Sequence, residues 1–215
     1  QKLYAEGGLD RIRSDTEEKD ALLLSLGINV NLAPVCDISS DPSSFIYPRT
    51  LGQDAETTSD YIRTVVGQMK SDGIGMVLKH FPGYGGSADT HTGQALDPRP
   101  LSDFEKNDLL PFEAGIDAGA QAVLVSHNIV TCLDADYPAS LSPAVHALLR
   151  GRLGFDGVIM TDDLAMQAVT DFTGDENAAV LAVQAGNDLI ISSDFVTQYH
   201  AVLDAVKNGT LRKND

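Results

Sequence analysis

Five short apolar segments, alternating with amphipathic segments, constrain the fold of this 215-residue chain more than any other feature. They are rich in Val, Ile and Leu, as expected of parallel strands that are covered on both faces. These segments are residues 28–35, 75–80, 122–127, 157–163 and 188–193. Helical periodicity marks residues 14–26, 54–70, 102–118, 143–152, 175–185 and 195–207. The alternation predicts an α/β fold built from parallel βα units.

The charge and composition of the chain exclude several classes of function. The formal net charge is −16, which repels phosphate backbones and argues against nucleic acid as a partner. No run of about 18 apolar residues is present, so no membrane span is predicted. The two cysteines, Cys36 and Cys132, have no metal-finger spacing and are predicted to be buried thiols. The chain opens with QKLYAEGG instead of a leader, and both a bacterial cytoplasmic and a secreted location fit it.

Polar side chains follow every predicted strand. Asp37 comes after the first, Lys79 and His80 end the second, and the later strands end in similar groups. Those groups are Ser126 with His127, Asp162 with Asp163, and Ser192 to Asp194. Ligands bind at the carboxyl edge of parallel sheets and barrels. The sequence therefore predicts a functional site at this edge.

The glycine-rich segment KHFPGYGGSADTH, residues 79–91, carries the first candidate pair. Asp89 and His91 lie two residues apart on a backbone that cannot hold a helix. A carboxylate bonded to one ring nitrogen fixes the tautomer and orients the other nitrogen for proton transfer. The alternative is an inert Asp-His pair on a surface loop.

The segment GVIMTDDLAM, residues 157–166, carries two adjacent aspartates after an apolar strand. Side chains alternate along a strand, so only one of the two can point into the mouth of the sheet. We expect Asp162 to be a reactive carboxylate and Asp163 to begin the next helix. The alternative is that both carboxylates only cap that helix.

Metal and cofactor sites are not predicted. The histidines and aspartates of these segments lack the HxH or HxxxH spacing of metal ligands, and Lys79 places a positive charge beside His80. The chain also lacks a GxGxxG after a strand and a GxxxxGK[ST] loop, which leaves nucleotide cofactors unsupported. We therefore expect no metal and no cofactor.

Four motifs in order, NLAPVCDIS, PRTLG, KHFPGYG with DTH, and GVIMTDDLAM, resemble family 3 glycoside hydrolases. The similarity is to the β-N-acetylglucosaminidase (β-N-acetylhexosaminidase) branch and extends from about residue 20 onward. The resemblance implies a (β/α)8 TIM barrel and a retaining hydrolysis through a covalent glycosyl-aspartate. The substrate it implies is a terminal non-reducing β-linked N-acetylglucosamine, with a use in cell-wall peptidoglycan recycling.

The resemblance also implies residue roles. Asp162 matches the nucleophile, His91 the general acid/base, and Asp89 the partner of that histidine. Lys79, His80 and Arg49 match residues that bind the sugar hydroxyls. Because a histidine acid adds no negative charge beside the intermediate, an anionic acceptor such as phosphate is repelled less, and a glycoside phosphorylase stays open as an alternative.

The chain departs from the family pattern at its N-terminal side. It lacks the Asp-Gln-Glu-Gly-Gly-Arg segment of that branch, and five strands are fewer than the eight of a closed barrel. We expect residues 1–215 to be a single catalytic domain, truncated at its N-terminus, with about five of eight βα units. The open alternatives are an oligomer that completes the barrel, a β-glucosidase, and a non-catalytic half-barrel that needs a partner.

Overall fold

The computed structural model describes residues 1–86, 89–174 and 177–212, and these divide into two compact units. The first comprises residues 1–86 and 101–123, and the second comprises residues 87–100 and 124–215. Both units combine helices with short strands, so the fold is α/β. In the described residues, no helix is both long and apolar enough for a membrane crossing.

The helices are as follows, in chain order. They are α1 (Lys2–Ser25), α2 (Ala55–Asp72), α3 (Leu101–Asp103), α4 (Leu109–Ala118), α5 (Pro143–Ala147), α6 (Gln167–Thr173), α7 (Ala178–Ala185) and α8 (Phe195–Lys207). A π-helical turn, Phe104–Asp108, interrupts the helical segment predicted over 102–118, and a second, Leu148–Arg152, forms the last part of the segment predicted over 143–152. Helix α1 begins twelve residues earlier than predicted, and its backbone leaves helical geometry at Gly7 and Gly8.

The strands are β1 (Val30–Asn31), β2 (Gly75–Phe81), β3 (Leu96–Asp97), β4 (Ala122–Val125), β5 (Ile129–Val130) and β6 (Val158–Thr161). In the first unit the strand order is β1-β2-β4, with β1 and β2 parallel. The first two residues of β4 belong to the first unit and its last two to the second. In the second unit β6 neighbours β4, and β3 pairs in parallel with β5 as a separate two-stranded sheet. Parallel pairing confirms the α/β prediction, while closure into a barrel stays a prediction.

Close packing of helices on β2 forms the core of the first unit. Helix α2 packs against both α1 and α4. A Cβ atom at Gly115 of α4 would lie 2.7 Å from the Leu78 side chain of β2, so this approach requires glycine. Phe81 and Phe112 pack edge to face with their ring centroids 5.1 Å apart. This packing fixes β2, whose last residues carry candidate site groups.

The second unit has a smaller apolar core around α6 and α7. Buried residues from both helices pack with Leu141 and Leu164. The alanines of α7, Ala178, Ala179 and Ala182, allow close helix contacts because they add little volume. Helix α6 lies outside the helical ranges that periodicity predicted, and its N-cap is Met166 instead of Asp163. The expectation that Asp163 begins the next helix is therefore wrong.

Two further predictions differ from the structure. Residues 188–193 do not form a strand, since only Leu189 makes a parallel bridge, to Met160. Cys36 is buried as predicted, but Cys132 is exposed. The predicted start of the 175–185 helix lies outside the described residues, and the described part begins at Ala178. Apolar side chains are exposed along residues 22–32 of the first unit and at Val158 and Leu189 of the second.

Asp20 of α1 is a buried carboxylate, and no hydrogen bond from the described residues to its oxygens offsets the cost of removing it from water. It is 1% exposed, and no described residue donates a hydrogen bond to either of its carboxylate oxygens. Burial, with the nearby carboxylate of Asp72, raises the pKa of Asp20 from 3.8 to about 6. The folded protein then holds a proton on Asp20 that the unfolded chain has already lost between these two pH values. Stability therefore falls as pH rises from about 4 to 6.

Replacing Asp20 with Asn should remove this pH-dependent loss of folding stability. A rise from 3.8 to about 6 corresponds to about 3 kcal/mol of unfolding free energy. We expect Asp20→Asn, measured by urea denaturation, to gain up to about 3 kcal/mol relative to the parent at pH 7. The gain should vanish at about pH 3, below the unfolded pKa of 3.8, where Asp20 of the parent is protonated in both the folded and the unfolded state. The exposed Asp10→Asn on the same helix is the matched control, and an equal gain in both variants at pH 7 would contradict this account.

Candidate active site

A buried carboxylate orients the candidate sugar-binding residues of the first unit. Asp37 follows the β1 region and accepts hydrogen bonds from the backbone N–H groups of His80 and Tyr84, at 3.0 and 2.9 Å. Its Oδ2 also lies 2.7 Å from Nδ1 of His80. Nη2 of Arg49 lies 2.9 Å from the other ring nitrogen of His80. Asp37, His80 and Arg49 thus form one hydrogen-bonded chain.

This chain fixes the tautomer of His80. A guanidinium group has only donors, so Nε2 of His80 must accept from Arg49 and Nδ1 must donate to Asp37. His80 is 2% exposed, whereas Arg49 is exposed. The structure therefore presents Arg49 at the surface of the unit, with Nε2 of His80 bonded to its guanidinium and Nδ1 of His80 bonded to Asp37. Lys79, also predicted to bind sugar, is half-buried, and its peptide bond to His80 is cis.

Removing the charge of Asp37 should destabilise the first unit. Asp37→Asn keeps the shape of the side chain but puts an amide where a carboxylate now accepts three hydrogen bonds. We expect a loss of about 2–4 kcal/mol in unfolding free energy, because hydrogen bonds to a buried charge are the strong ones. The exposed variant Asp60→Asn, which removes only a surface pair with Arg63, should change stability by less than about 1 kcal/mol. Equal effects in the two variants would show that Asp37 does not organise this cluster.

Asp89 and His91 of the second unit make the contact that their spacing predicts. Oδ1 of Asp89 lies 2.7 Å from Nδ1 of His91 and accepts the His91 backbone N–H at 3.0 Å. The His91 side chain is 58% exposed. The carboxylate therefore holds Nδ1 of His91, and this contact leaves Nε2 of an exposed imidazole to face a ligand. Whether the pair is catalytic stays a prediction.

A backbone hydrogen bond ties the turn that carries His91 to helix α6. The carbonyl of the fully buried Thr90 accepts the N–H of Ala168 at 3.2 Å. The turn closes on itself through the Thr92 N–H, which donates to the Asp89 carbonyl at 3.1 Å. His91 is consequently held beside the segment that follows β6.

Asp162 and Asp163 follow β6 and face different surroundings. The backbone N–H of Asp162 donates to the Val125 carbonyl at 3.0 Å, and its Oδ1 accepts the Asp163 N–H at 2.9 Å. Asp163 instead accepts from the N–H groups of Ala165 and Ser193, each at 2.9 Å, and from the Ser193 hydroxyl. Partial burial raises the pKa of Asp163, but these hydrogen bonds outweigh it and the pKa is lowered. Both aspartates are half-buried, but the Asp163 carboxylate accepts three hydrogen bonds and the Asp162 carboxylate accepts one, from the backbone.

His127 supports the same segment from the core. It is 1% exposed, with Nε2 3.0 Å from the Asp163 carbonyl and Nδ1 2.7 Å from the Ser140 hydroxyl. Nε2 must donate to the carbonyl, so Nδ1 of the neutral ring accepts from Ser140. Burial lowers the pKa of His127 and keeps the ring neutral. His127 is thus a satisfied core histidine that fixes the backbone beside Asp162.

The sequence predicted the candidate site residues themselves but not the residues that hold them in place. The structure brings Asp89 to His91, and Arg49 to His80. Sequence reasoning missed Ser193 and Ser140 as partners, and it gave Asp37 no role beyond a strand end. The polar residues at the ends of the predicted strands were a signal for Asp37 and Ser193, whereas Ser140 lies in the turn Ala139–Leu141, away from any predicted strand end. No three His, Cys, Asp or Glu side chains converge as metal ligands in residues 1–86, 89–174 and 177–212.

Curated relatives carry similar sequences. The chain is 34% identical over 193 residues to a β-hexosaminidase of Xanthomonas campestris pv. campestris (strain B100), covering 88% of this chain and 58% of that protein. It is also 34% identical over 209 residues to the β-hexosaminidase LpqI of Mycobacterium bovis, covering 93% and 53%. The chain therefore spans about half the length of these relatives.

A comparison with solved structures and a match to a family description both point to one family. A glycoside hydrolase family 3 β-N-acetylglucosaminidase from Paenibacillus sp. str. FPU-7 superposes with a TM-score of 0.92 at 33% identity, covering 99% of this chain and 42% of that one. The family description "Glycosyl hydrolase family 3 N terminal domain" matches residues 1–215. The chain belongs to glycosyl hydrolase family 3, and its sequence falls within the N-terminal domain of that family.

Proposed function

We propose that this chain supplies the catalytic residues of a retaining exo-β-N-acetylhexosaminidase. The observation that best supports this proposal is the Asp89–His91 pair, in which the carboxylate orients an exposed imidazole. The half-buried carboxylate of Asp162 lies in the same unit. A proton donor and a nucleophilic carboxylate are the two groups that retaining glycoside hydrolysis requires. The β-hexosaminidase relatives support N-acetylglucosaminides as the substrate class.

The proposed reaction has two steps. The Asp162 carboxylate attacks the anomeric carbon while protonated His91 gives its Nε2 proton to the leaving oxygen, which breaks the glycosidic bond. A glycosyl-aspartate ester and a neutral imidazole result. The imidazole then takes a proton from water, the water oxygen attacks the anomeric carbon, and the ester bond breaks to release the sugar and the Asp162 carboxylate. Asp89 holds Nδ1 throughout, so the ring does not rotate between the steps.

For the first unit we propose a sugar-binding role. Arg49 and Lys79 would donate to sugar hydroxyl groups, which suits their donor-only side chains. His80 would act through Arg49, because both of its ring nitrogens are engaged within the protein. The closed (β/α)8 barrel that the family resemblance implies would need further strands, from the same protein or from a partner chain. Fragments of cell-wall peptidoglycan are the proposed natural source of substrate.

Turnover of chromogenic glycosides tests this function in the natural gene product that carries this sequence. We expect release of nitrophenol from the β-N-acetylglucosaminide, with retained configuration, faster than from the plain β-glucoside. Faster release from the glucoside would assign a β-glucosidase. Formation of sugar 1-phosphate in phosphate buffer would assign a phosphorylase, which a neutral histidine base permits. A compact oligomer without any turnover would support a non-catalytic half-barrel.

A further inference from the structure

The segment of residues 188–193 begins to pair with β6 as a parallel strand would. Leu189 forms a parallel bridge with Met160. The Leu189 N–H donates to the Ile159 carbonyl, and the Leu189 carbonyl accepts the Thr161 N–H, both at 3.2 Å. The hydrogen bonds of a parallel ladder repeat evenly along the two strands. The residues that follow this bridge should therefore continue the same alternation of donor and acceptor.

Regular pairing stops directly after the bridge. A continued ladder would join the Ile191 N–H to the Thr161 carbonyl, and the Asp163 N–H to the Ile191 carbonyl. Instead the Ile191 N–H donates to the Thr161 hydroxyl oxygen at 3.0 Å. The Ile191 carbonyl accepts the N–H of Leu164, one residue later than the ladder requires, also at 3.0 Å. One residue is thus skipped, as in a β-bulge, and the Asp163 N–H does not meet its ladder acceptor.

The Asp163 N–H, once free of the ladder, holds the Asp162 carboxylate. It donates to Oδ1 of Asp162 at 2.9 Å. On the other side of β6, the N–H of Asp162 donates to the Val125 carbonyl at 3.0 Å. Within the described residues, no group donates a hydrogen bond to Oδ2 of Asp162. The two carboxylate oxygens therefore differ, since the backbone holds Oδ1 and leaves Oδ2 for a ligand.

Asp163 and Ser193 close the irregular stretch. A regular ladder would next join the Ser193 N–H to the Asp163 carbonyl. That carbonyl lies 3.0 Å from Nε2 of His127 instead, and the Asp163 carboxylate accepts the Ser193 N–H at 2.9 Å and the Ser193 hydroxyl. The side chains of Thr161 and Asp163 thus take the places of two backbone acceptors. Such side chains compete with regular backbone pairing, which explains why residues 188–193 do not form a strand.

We propose that Thr161 and Ser193 are positioning residues for the Asp162 carboxylate, and that Oδ2 of Asp162 is the oxygen that attacks the anomeric carbon. The attack rests on the proposed function, whereas the hydrogen bond to Oδ1 can be observed without turnover. In the first step Oδ2 forms the ester bond as the bond to the leaving oxygen breaks, and His91 gives its proton to that oxygen. Oδ1 keeps the Asp163 N–H, so the carboxylate stays aligned for the attack.

Replacing Thr161 with Val tests the proposal, because valine has nearly the same shape and lacks the hydroxyl acceptor. The Ile191 N–H can then bond to the backbone carbonyl at position 161, which favours regular pairing and draws the Asp163 N–H to the Ile191 carbonyl. In the natural gene product we expect kcat for the β-N-acetylglucosaminide to fall about 10–100-fold with little change in KM, since a misplacement of about 1 Å costs rates of this order. Thr161→Ser keeps the oxygen and should recover most of kcat.

A matched threonine provides the control. Thr173 of α6 is also buried, and its hydroxyl donates to the Val169 carbonyl at 3.0 Å. Thr173→Val therefore removes a buried hydroxyl that is not bonded to residues 161–164, and it should keep parental kcat. Ser193→Ala, at an exposed position, keeps the proposal testable if Thr161→Val does not fold. We expect Ser193→Ala to lower kcat about tenfold, with recovery in Ser193→Thr.

Crystal structures of the parent and of Thr161→Val separate the possible results. We expect the distance from the Asp163 nitrogen to Oδ1 of Asp162 to lengthen from 2.9 Å to beyond hydrogen-bond range in the variant. An unchanged distance, parental kcat in both Thr161→Val and Ser193→Ala, or an equal loss in Thr173→Val would overturn the positioning roles. If the distance lengthens but the parent hydrolyses no glycoside, the proposed function fails and the control of the carboxylate by Thr161 stands.

Discussion

Replacing Asp162 with Ala is expected to lower kcat for β-N-acetylglucosaminides by a factor of at least about 10³, because the variant lacks the carboxylate on which the proposed covalent intermediate forms. The structure supports Asp162 for this role over its neighbour. Asp163 is fully occupied by Ala165 and Ser193, and its lowered pKa reflects those contacts. Asp162 receives one backbone hydrogen bond at its carboxylate and is only half-buried.

Azide can confirm the reason for the loss. In Asp162→Ala a small anion can enter the space of the carboxylate and attack the anomeric carbon directly, so we expect added azide to restore turnover and to give the α-glycosyl azide. Asp204→Asn, an exposed aspartate of α8, is the matched control and should keep parental kcat. Activity within tenfold of the parent in Asp162→Ala would rule out the nucleophile assignment.

His91→Ala is expected to reduce kcat/KM by about 10²–10⁴ for substrates with sugar leaving groups, the range that general acid catalysis contributes. For a dinitrophenyl glycoside the loss in the first step should be much smaller, because that leaving group needs no proton. A structural role for His91 would lower both rates alike. The dependence on leaving group is therefore the informative readout.

Two further variants test whether the loss comes from the His91 imidazole and from its contact with Asp89. His200→Ala removes an exposed histidine of α8 and should have no effect on either substrate. Asp89→Asn should reproduce part of the His91→Ala loss, since the amide can turn its NH₂ toward Nδ1 and favour the wrong tautomer. Equal losses on both substrates in His91→Ala would contradict the acid/base assignment.

The parts of the fold that could be predicted from the sequence are those that depend on local patterns. The buried β2 and the helix of residues 195–207 were predicted within one residue of their ends, because apolar runs and amphipathic periodicity report burial directly. Residues 188–193 have the same apolar composition, yet only Leu189 forms a β-bridge. A strand needs a neighbour along its whole length, and composition cannot report that neighbour.

The candidate site shows the same limit. Asp89 and His91 are two residues apart, so their contact follows from local geometry. His80 lies 43 residues from Asp37 and 31 from Arg49, and no periodicity connects them. The same holds for Ser193, which is 30 residues from Asp163. Side-chain partners at such separations are set by strand order and tertiary packing.

The covalent intermediate is the most direct test of the account. The natural gene product would be incubated with an activated 2-fluoro glycoside, which slows the second step, then digested and mapped by mass spectrometry. We expect one added sugar per chain, on the peptide that contains GVIMTDDLAM, with fragmentation placing it on Asp162. A label on Asp163 or on any other residue, or turnover that proceeds without any trapped ester, would contradict the central claim.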